Sequence, residues 1–199
     1  MLPKLTLYVG ILISLVLQVN CSSKKIHPKN RWKTHDGRPL LINYYINDKA
    51  NIQSEEAIRK TFQNWKAETG IEFQYRGRTS ALLKKDGKSV VSFLLTWPEK
   101  LPQDKVAYCR LYYDSEGFIV ESDIVFNMQM ARFTTLAKNT PEAYYIEGVL
   151  SHEVGHMLGL KHSRDATSIM KIHSTADESY FKGKINSETL KKIKSIYNL

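Results

Sequence analysis

From residue 31 onward, short apolar runs alternate with amphipathic stretches, and the two periods separate strands from helices. Leu40 to Ile46 (LLINYYI) is apolar and aromatic between Pro39 and Asn47, which predicts a strand. Ser54 precedes a stretch in which Ile58, Phe62 and Trp65 share one stripe as far as Gly70, the pattern of an amphipathic helix capped by Ser54. Ile71 to Arg76 alternates apolar with polar, and Ser89 to Leu95 is nearly all apolar, so two strands follow, the second buried on both faces. Val106 to Tyr113, closed by the turn Asp114-Ser115-Glu116-Gly117, and Ile124 to Phe126 predict two more. Thr140 as cap, Pro141 as first helical residue and Glu142 in the first turn then start a helix running to Leu158. Its Ile146, Val149, Leu150, Val154 and Leu158 can pack on the sheet. Ser187 caps a last helix with Leu190, Ile193 and Tyr197 turned inward.

Composition changes little of that picture. At 199 residues and 42% hydrophobic, the chain can bury one substantial core and has little room for a second. The amino terminus changes more. Leu5 to Val19 (LTLYVGILISLVLQV) follows Lys4, carries no charge and is shorter than the usual bilayer-spanning helix. It predicts a secretory signal sequence within residues 1–21, with an uncleaved anchor as the alternative. Leu17-Gln18-Val19-Asn20-Cys21 is loosely similar to a bacterial lipoprotein processing site, which would attach the chain to a membrane through a lipidated Cys21. The alternatives are loss of Cys21 with the signal, or pairing with Cys109, the second of the two cysteines. Residues 22–30 (SSKKIHPKN) read as a polar tether, and residues 31–199 as the domain. The expected product is exported, secreted or membrane-anchored, and monomeric. A formal charge of +9 favours acidic partners or an anionic membrane surface. Lys182, Lys184, Lys191, Lys192 and Lys194 are equally explained by a solvated helix face, and no interleaving of aromatic with basic residues argues for nucleic acid.

The chemistry concentrates in His152-Glu153-Val154-Gly155-His156-Met157-Leu158-Gly159-Leu160-Lys161-His162. Residues four apart lie side by side on a helix, so His152 and His156 can share one metal ion. Glu153 points to the flank of that face, placed to act as general base without being a ligand. Gly159 lets the chain turn out of the helix at positive φ, so that His162 can return as a third nitrogen ligand. Three protein ligands leave one position open, the mark of a catalytic zinc site. With this chain's composition the pattern arises by chance on the order of 10⁻⁵ times per chain, so a merely histidine-rich helix end is a poor alternative. His27 falls in the tether and His35 in a polar loop, where solvent exposure suffices. His173 lies close enough to Met170 to be a candidate lining residue of the cleft.

With Ser168-Ile169-Met170 downstream, the chain resembles the metzincin metallopeptidases, in which a methionine turn passes beneath the metal. Ser163, directly after the third histidine, is the residue type of the matrixin branch, the matrix metalloproteinases and their bacterial relatives. Tyr44-Tyr45-Ile46, Ala57-Ile58 with Phe62 and Trp65, Glu121 to Asn127, and Ile193 to Tyr197 resemble matrixin landmarks in matrixin order. The resemblance implies an α+β fold, a twisted mixed sheet that is mostly parallel with an antiparallel edge strand, with about three helices. It also implies a zinc-dependent endopeptidase whose substrate lies extended along the edge strand, here Tyr108 to Tyr113. Competing functions are a cell-wall peptide amidase and a non-catalytic zinc-containing binding protein.

The chain departs from the animal enzymes in three respects. No cysteine-switch segment precedes the domain, so zymogen latency is not expected. Lys171 and Ile172 follow Met170 where those enzymes carry tyrosine and proline. The histidines of a second, structural zinc are missing between Ser89 and Asn127, so one zinc is expected. Asp114, Glu116 and Asp123 are candidate calcium carboxylates, against the simpler reading that they are solvated.

Overall fold

The computed structural model describes residues 29–34, 38–136, 142–172, 176 and 184–199. The signal segment with Cys21, most of the tether, and His27, His35, Thr140, Pro141 and His173 lie outside the described residues. Among those described, no helix is long and apolar enough to cross a membrane.

The fold is α+β. Strands β1 (Leu41–Asn47), β2 (Glu72–Thr79), β3 (Ser89–Leu94), β4 (Ala107–Tyr113) and β5 (Ile119–Asn127) form one mixed sheet in the order β2-β1-β3-β5-β4. All neighbours run parallel except β4, the antiparallel edge strand, paired with β5 from Ala107 opposite Phe126 to Tyr113 opposite Ile119. Helices α1 (Ile52–Thr69), α2 (Ile146–Met157) and α3 (Ser187–Tyr197) complete the domain among the described residues. Ile42, Tyr44, Ile46, Val91, Ile124 and Phe126 of the sheet meet Ile58, Phe62 and Trp65 of α1, Leu150 and Val154 of α2, and Ile193 and Tyr197 of α3 in one core. A smaller cluster of Trp97, Leu101 and Val125 sits apart from it. A minor sheet pairs β6 (Phe133–Thr134) with β7 (Tyr144–Tyr145) just ahead of α2.

The structure moves several element boundaries. Asn51, not Ser54, caps α1: its side chain accepts from the Ser54 N–H at 2.8 Å, so Ser54 is the third residue of the helix. In α3 the same substitution occurs, with Asn186 accepting from the Thr189 N–H in place of Ser187. In both cases an asparagine one to three residues upstream of the expected cap takes its role, since Asn and Ser cap equally well. The helix expected from Thr140 begins only at Ile146, because Tyr144 and Tyr145 are drawn into the minor sheet; its amino end at Tyr145 has no side-chain cap. β5 extends from Ile119 rather than Ile124, since pairing with β4 carries it across the polar Glu121-Ser122-Asp123. Those groups are satisfied in place. Glu121 accepts from the Asp86 and Gly87 N–H groups, Asp123 from Val90 and Lys84, and the Ser122 N–H donates to Ser89 Oγ.

Lys29 and Asn30, read as the end of the tether, dock on the domain. The Lys29 N–H donates to the Gly117 carbonyl at 2.7 Å, and the Ile119 N–H to the Arg31 carbonyl at 2.9 Å. Trp32 Nε1 donates to the Met157 carbonyl at 2.8 Å, and Arg31 Nη1 to the Ile196 carbonyl at 3.3 Å. The segment 29–32 thus straps β5, the end of α2 and α3 together.

Candidate metal centre

α2 carries the first two histidines and the glutamate. The helix ends in a Schellman arrangement: the Gly159 N–H donates to the His156 carbonyl at 2.8 Å and the Leu160 N–H to the Gly155 carbonyl at 2.9 Å, with Gly159 at φ +86°. A side chain at Gly159 is excluded twice over, since a Cβ there would stand 1.6 Å from the Asn30 carbonyl oxygen. The reversal returns His162 to the helix face. The candidate ligand atoms converge, with Nε2 of His156 at 3.1 Å from that of His152 and 3.2 Å from that of His162.

Those separations fit a shared metal. Imidazole nitrogens about 2.0–2.1 Å from a tetrahedral zinc are about 3.3 Å from one another. The protonation state fits as well. His152 Nδ1 lies 2.7 Å from the Ile169 carbonyl and His156 Nδ1 2.8 Å from the Leu160 carbonyl. Carbonyl oxygens only accept, so both Nδ1 atoms carry the proton. Burial lowers the pKa of His156 to about 4, which keeps it neutral and leaves its Nε2 lone pair for a cation. With His156 neutral, its Nε2 facing that of His152 at 3.1 Å is an arrangement that a shared cation would suit.

Beneath the triad runs the turn Ser168 to Lys171, in which the Lys171 N–H donates to the Ser168 carbonyl at 3.1 Å. The Ser163 N–H donates to the Met170 carbonyl at 2.7 Å, tying this turn to the residue after the third histidine. Met170 is fully buried, and its thioether occupies the space above Gly155: a Cβ at Gly155 would lie 2.2 Å from Met170 Sδ. Neither spacing nor composition marks Gly155 as special. Only the packing partner reveals it.

Glu153 is 7% exposed and faces the edge strand. Burial pushes its carboxyl up to about 8, opposed by the Cys109 backbone N–H and the Lys105 ammonium. Glu153, His152, His156 and His162 all line one cleft of about 510 Å³, walled by Tyr108, Cys109 and Leu111 of β4 and by Tyr144, Gly148 and Val149 around the start of α2. Lys171 and Ile172 line the same cleft, so the departure after Met170 falls on its wall. Cys109 is a free thiol whose pKa burial raises, 3.2 Å from Ser122 Oγ.

A family model described as Matrixin matches residues 103–198, which hold β4, β5, the three histidines, the methionine turn and α3. The protein is a matrixin-like metzincin. No curated protein matches the chain. The metzincin match, with zinc as the metal its relatives use, makes the domain that of a zinc metallopeptidase. Outside the matched half, the upstream landmarks Tyr44, Ile46, Ala57, Ile58, Phe62 and Trp65 all enter the metzincin core.

The calcium reading finds no support among the described residues, where the three carboxylates do not assemble. Asp114 accepts the N–H groups of Glu116 and Phe118 inside its own turn, Glu116 pairs with Lys33, and Asp123 is held by Val90 and Lys84. Among the described residues, the only group of three metal-capable side chains close enough to hold an ion is the histidine triad.

Proposed function

We propose that the chain is a zinc-dependent endopeptidase in which His152, His156 and His162 hold the metal and Glu153 is the general base. What carries the reading is the convergence of three imidazole nitrogens on one point in a cleft that Glu153 and the edge strand also face. Zinc held there supplies Lewis-acid polarisation of a carbonyl and an acidified water. The chain's own residues do the rest. β4 has β5 on one side only, so its outer N–H and C=O groups can pair with an extended peptide and present its scissile bond to Glu153. The Glu153 carboxylate takes a proton from the attacking water and returns it to the leaving amine. Its buried setting raises its proton affinity toward the range useful for both transfers. Recognition through main-chain pairing suits many sequences, as expected of an enzyme acting on unfolded segments.

The test is cleavage of unfolded casein by wild type, Glu153→Gln and Glu153→Ala, with and without chelator. Loss of the general base should lower kcat by roughly 10²–10⁴-fold while zinc remains bound, and chelation should abolish cleavage in the wild type. Undiminished cleavage by the variants would refute the assignment. The apolar run Leu5 to Val19 and Cys21 support action outside the cytoplasm. In the same assay run on cell fractions, activity confined to the cytoplasm would overturn that part.

A further inference from the structure

At the end of the cleft beyond His162 lies a second hollow of about 610 Å³, between the strap and α3. Asn30, Gly159, Leu160, Lys161 and His162 line both spaces, so one opens into the other along the third-histidine loop. Lys29, Arg31, Lys161 and Lys192 surround this trough, and none of the described residues lining it is acidic. Lys192 is paired with Glu188 and lies within electrostatic reach of Asp165, so its charge is partly met from outside. The Lys29 ammonium sits 3.9 Å from the Phe118 ring centre, and the Arg31 guanidinium bonds the Ile196 carbonyl. Among the described residues, neither cation has an acidic partner there.

The walls are fixed by backbone contacts. Asn30 holds φ +51°, packs its carbonyl against Gly159, and accepts at its side-chain oxygen from Tyr113 Oη at 3.1 Å. The Trp32 N–H meets Tyr197 Oη, which in turn donates to the Leu158 carbonyl at 3.0 Å. The Tyr113 to Asn30 bond also fixes orientation: the trough adjoins the carboxyl end of β4. A peptide running along the edge strand therefore reaches the trough on one side of its scissile bond, the amino-terminal side if it runs antiparallel to β4.

We propose that this trough is an extended subsite for acidic side chains, making peptides with carboxylates several residues to one side of the scissile bond the preferred substrates. The inference rests on the endopeptidase reading for its catalytic consequence but not for binding. Each exposed ion pair contributes a factor of roughly 1.4 to 5, so two carboxylates favour a peptide by about two- to thirty-fold in kcat/KM. The advantage should shrink with salt, because exposed charges are screened.

The experiment compares fluorogenic peptides of one core sequence carrying Glu-Glu, Gln-Gln or Lys-Lys on either side of the cleaved bond. Wild type and the Lys29→Gln/Lys192→Gln double variant are assayed at low and high salt, with Lys161→Gln as a separate variant. The expected result is a Glu over Gln preference confined to one side, reduced toward unity in the variants whatever their absolute rates. Equal rates for the three peptides would overturn the trough while leaving the endopeptidase intact. If wild type cleaves none of them, the endopeptidase reading fails instead, and binding of the same peptides to zinc-loaded Glu153→Gln, followed by fluorescence anisotropy, decides the trough by the same ratio. Sedimentation with phosphatidylserine vesicles is the control. A trough whose variants lose vesicle binding but keep the peptide ratio is a membrane contact, and the inference falls.

Discussion

Gly70 and Gly159 both follow helices in the left-handed region, at φ +74° and +86°, yet their surroundings differ completely. A Cβ at Gly70 meets nothing within 4 Å; at Gly159 it would lie 1.6 Å from the Asn30 carbonyl oxygen and 2.7 Å from its carbon. Alanine at either position bears the left-handed penalty of roughly 1–2 kcal/mol, partly offset by about 0.4–1 kcal/mol from a stiffer unfolded chain. Gly70→Ala should therefore cost about 1 kcal/mol. Gly159→Ala adds a backbone collision that no rotamer relieves, so the strap must lift or the loop 159–162 must shift, at a further cost of about 1–3 kcal/mol. For a domain of this size each kcal/mol lowers Tm by roughly 2–4 °C, which predicts a drop of about 2–4 °C for Gly70→Ala and about 4–16 °C for Gly159→Ala. Zinc affinity, measured by competition with a chromophoric chelator, should be unchanged in Gly70→Ala and weakened in Gly159→Ala, because His162 lies on the displaced loop. If the two variants melt together and bind zinc like wild type, the contact between strap and loop does not constrain the site.

Metal removal and pH supply two further tests. Zinc at about 1,000 times its Kd should stabilise the native state by about 4 kcal/mol, read as a rise in Tm that chelator reverses; an unchanged Tm would mean the triad does not take the ion. Burial, reinforced by Glu121, raises the Asp123 carboxyl from its ordinary 3.8 to about 7, so the native state holds a proton there that the unfolded state releases. Stability from this group is complete below about pH 4 and lost as pH rises through about 7, by about 4 kcal/mol at most. Urea melts of metal-free wild type and Asp123→Asn across that range should differ by this slope, and parallel curves would contradict it.

The legible part of the site was the part written in side-chain identity and spacing. Histidines four apart on a helix, followed by glycine and a third histidine, specify a convergence that needs no tertiary knowledge, and the structure brings those nitrogens within 3.1 and 3.2 Å. The apolar stripe Ile58, Phe62 and Trp65 and the near-continuous run from Ser89 likewise announced α1 and β3. What escaped depends on partners distant in sequence. Gly155 is demanded by Met170, Gly159 in part by Asn30, and the late start of α2 by pairing of Tyr144 with Phe133. Periodicity within a segment carries no record of such contacts. The caps failed for a milder reason: Asn51 and Asn186 stood beside serines of equal capping ability.

The same division explains how so short a motif can orient a metal site. Both helical histidines are aimed by backbone carbonyls, His152 by Ile169 in the methionine turn and His156 by Leu160 in the helix-ending reversal. A carbonyl is supplied by any residue, so the aiming constrains chain path more than side-chain type. Path is fixed in turn by the two glycines, one admitting the Met170 thioether and the other the Asn30 carbonyl, and by the bond from the Ser163 N–H to Met170. Positions such as Met157, Lys161 and Ile169 need not appear in the pattern for the imidazoles to converge, whereas adding a single Cβ at Gly155 or Gly159 disturbs the frame that aims them. The departure at Lys171 and Ile172 is tolerable on the same grounds: those side chains line the cleft, where they bear on what is bound, while the carbonyls of Ile169 and Met170 just before them keep the turn in place.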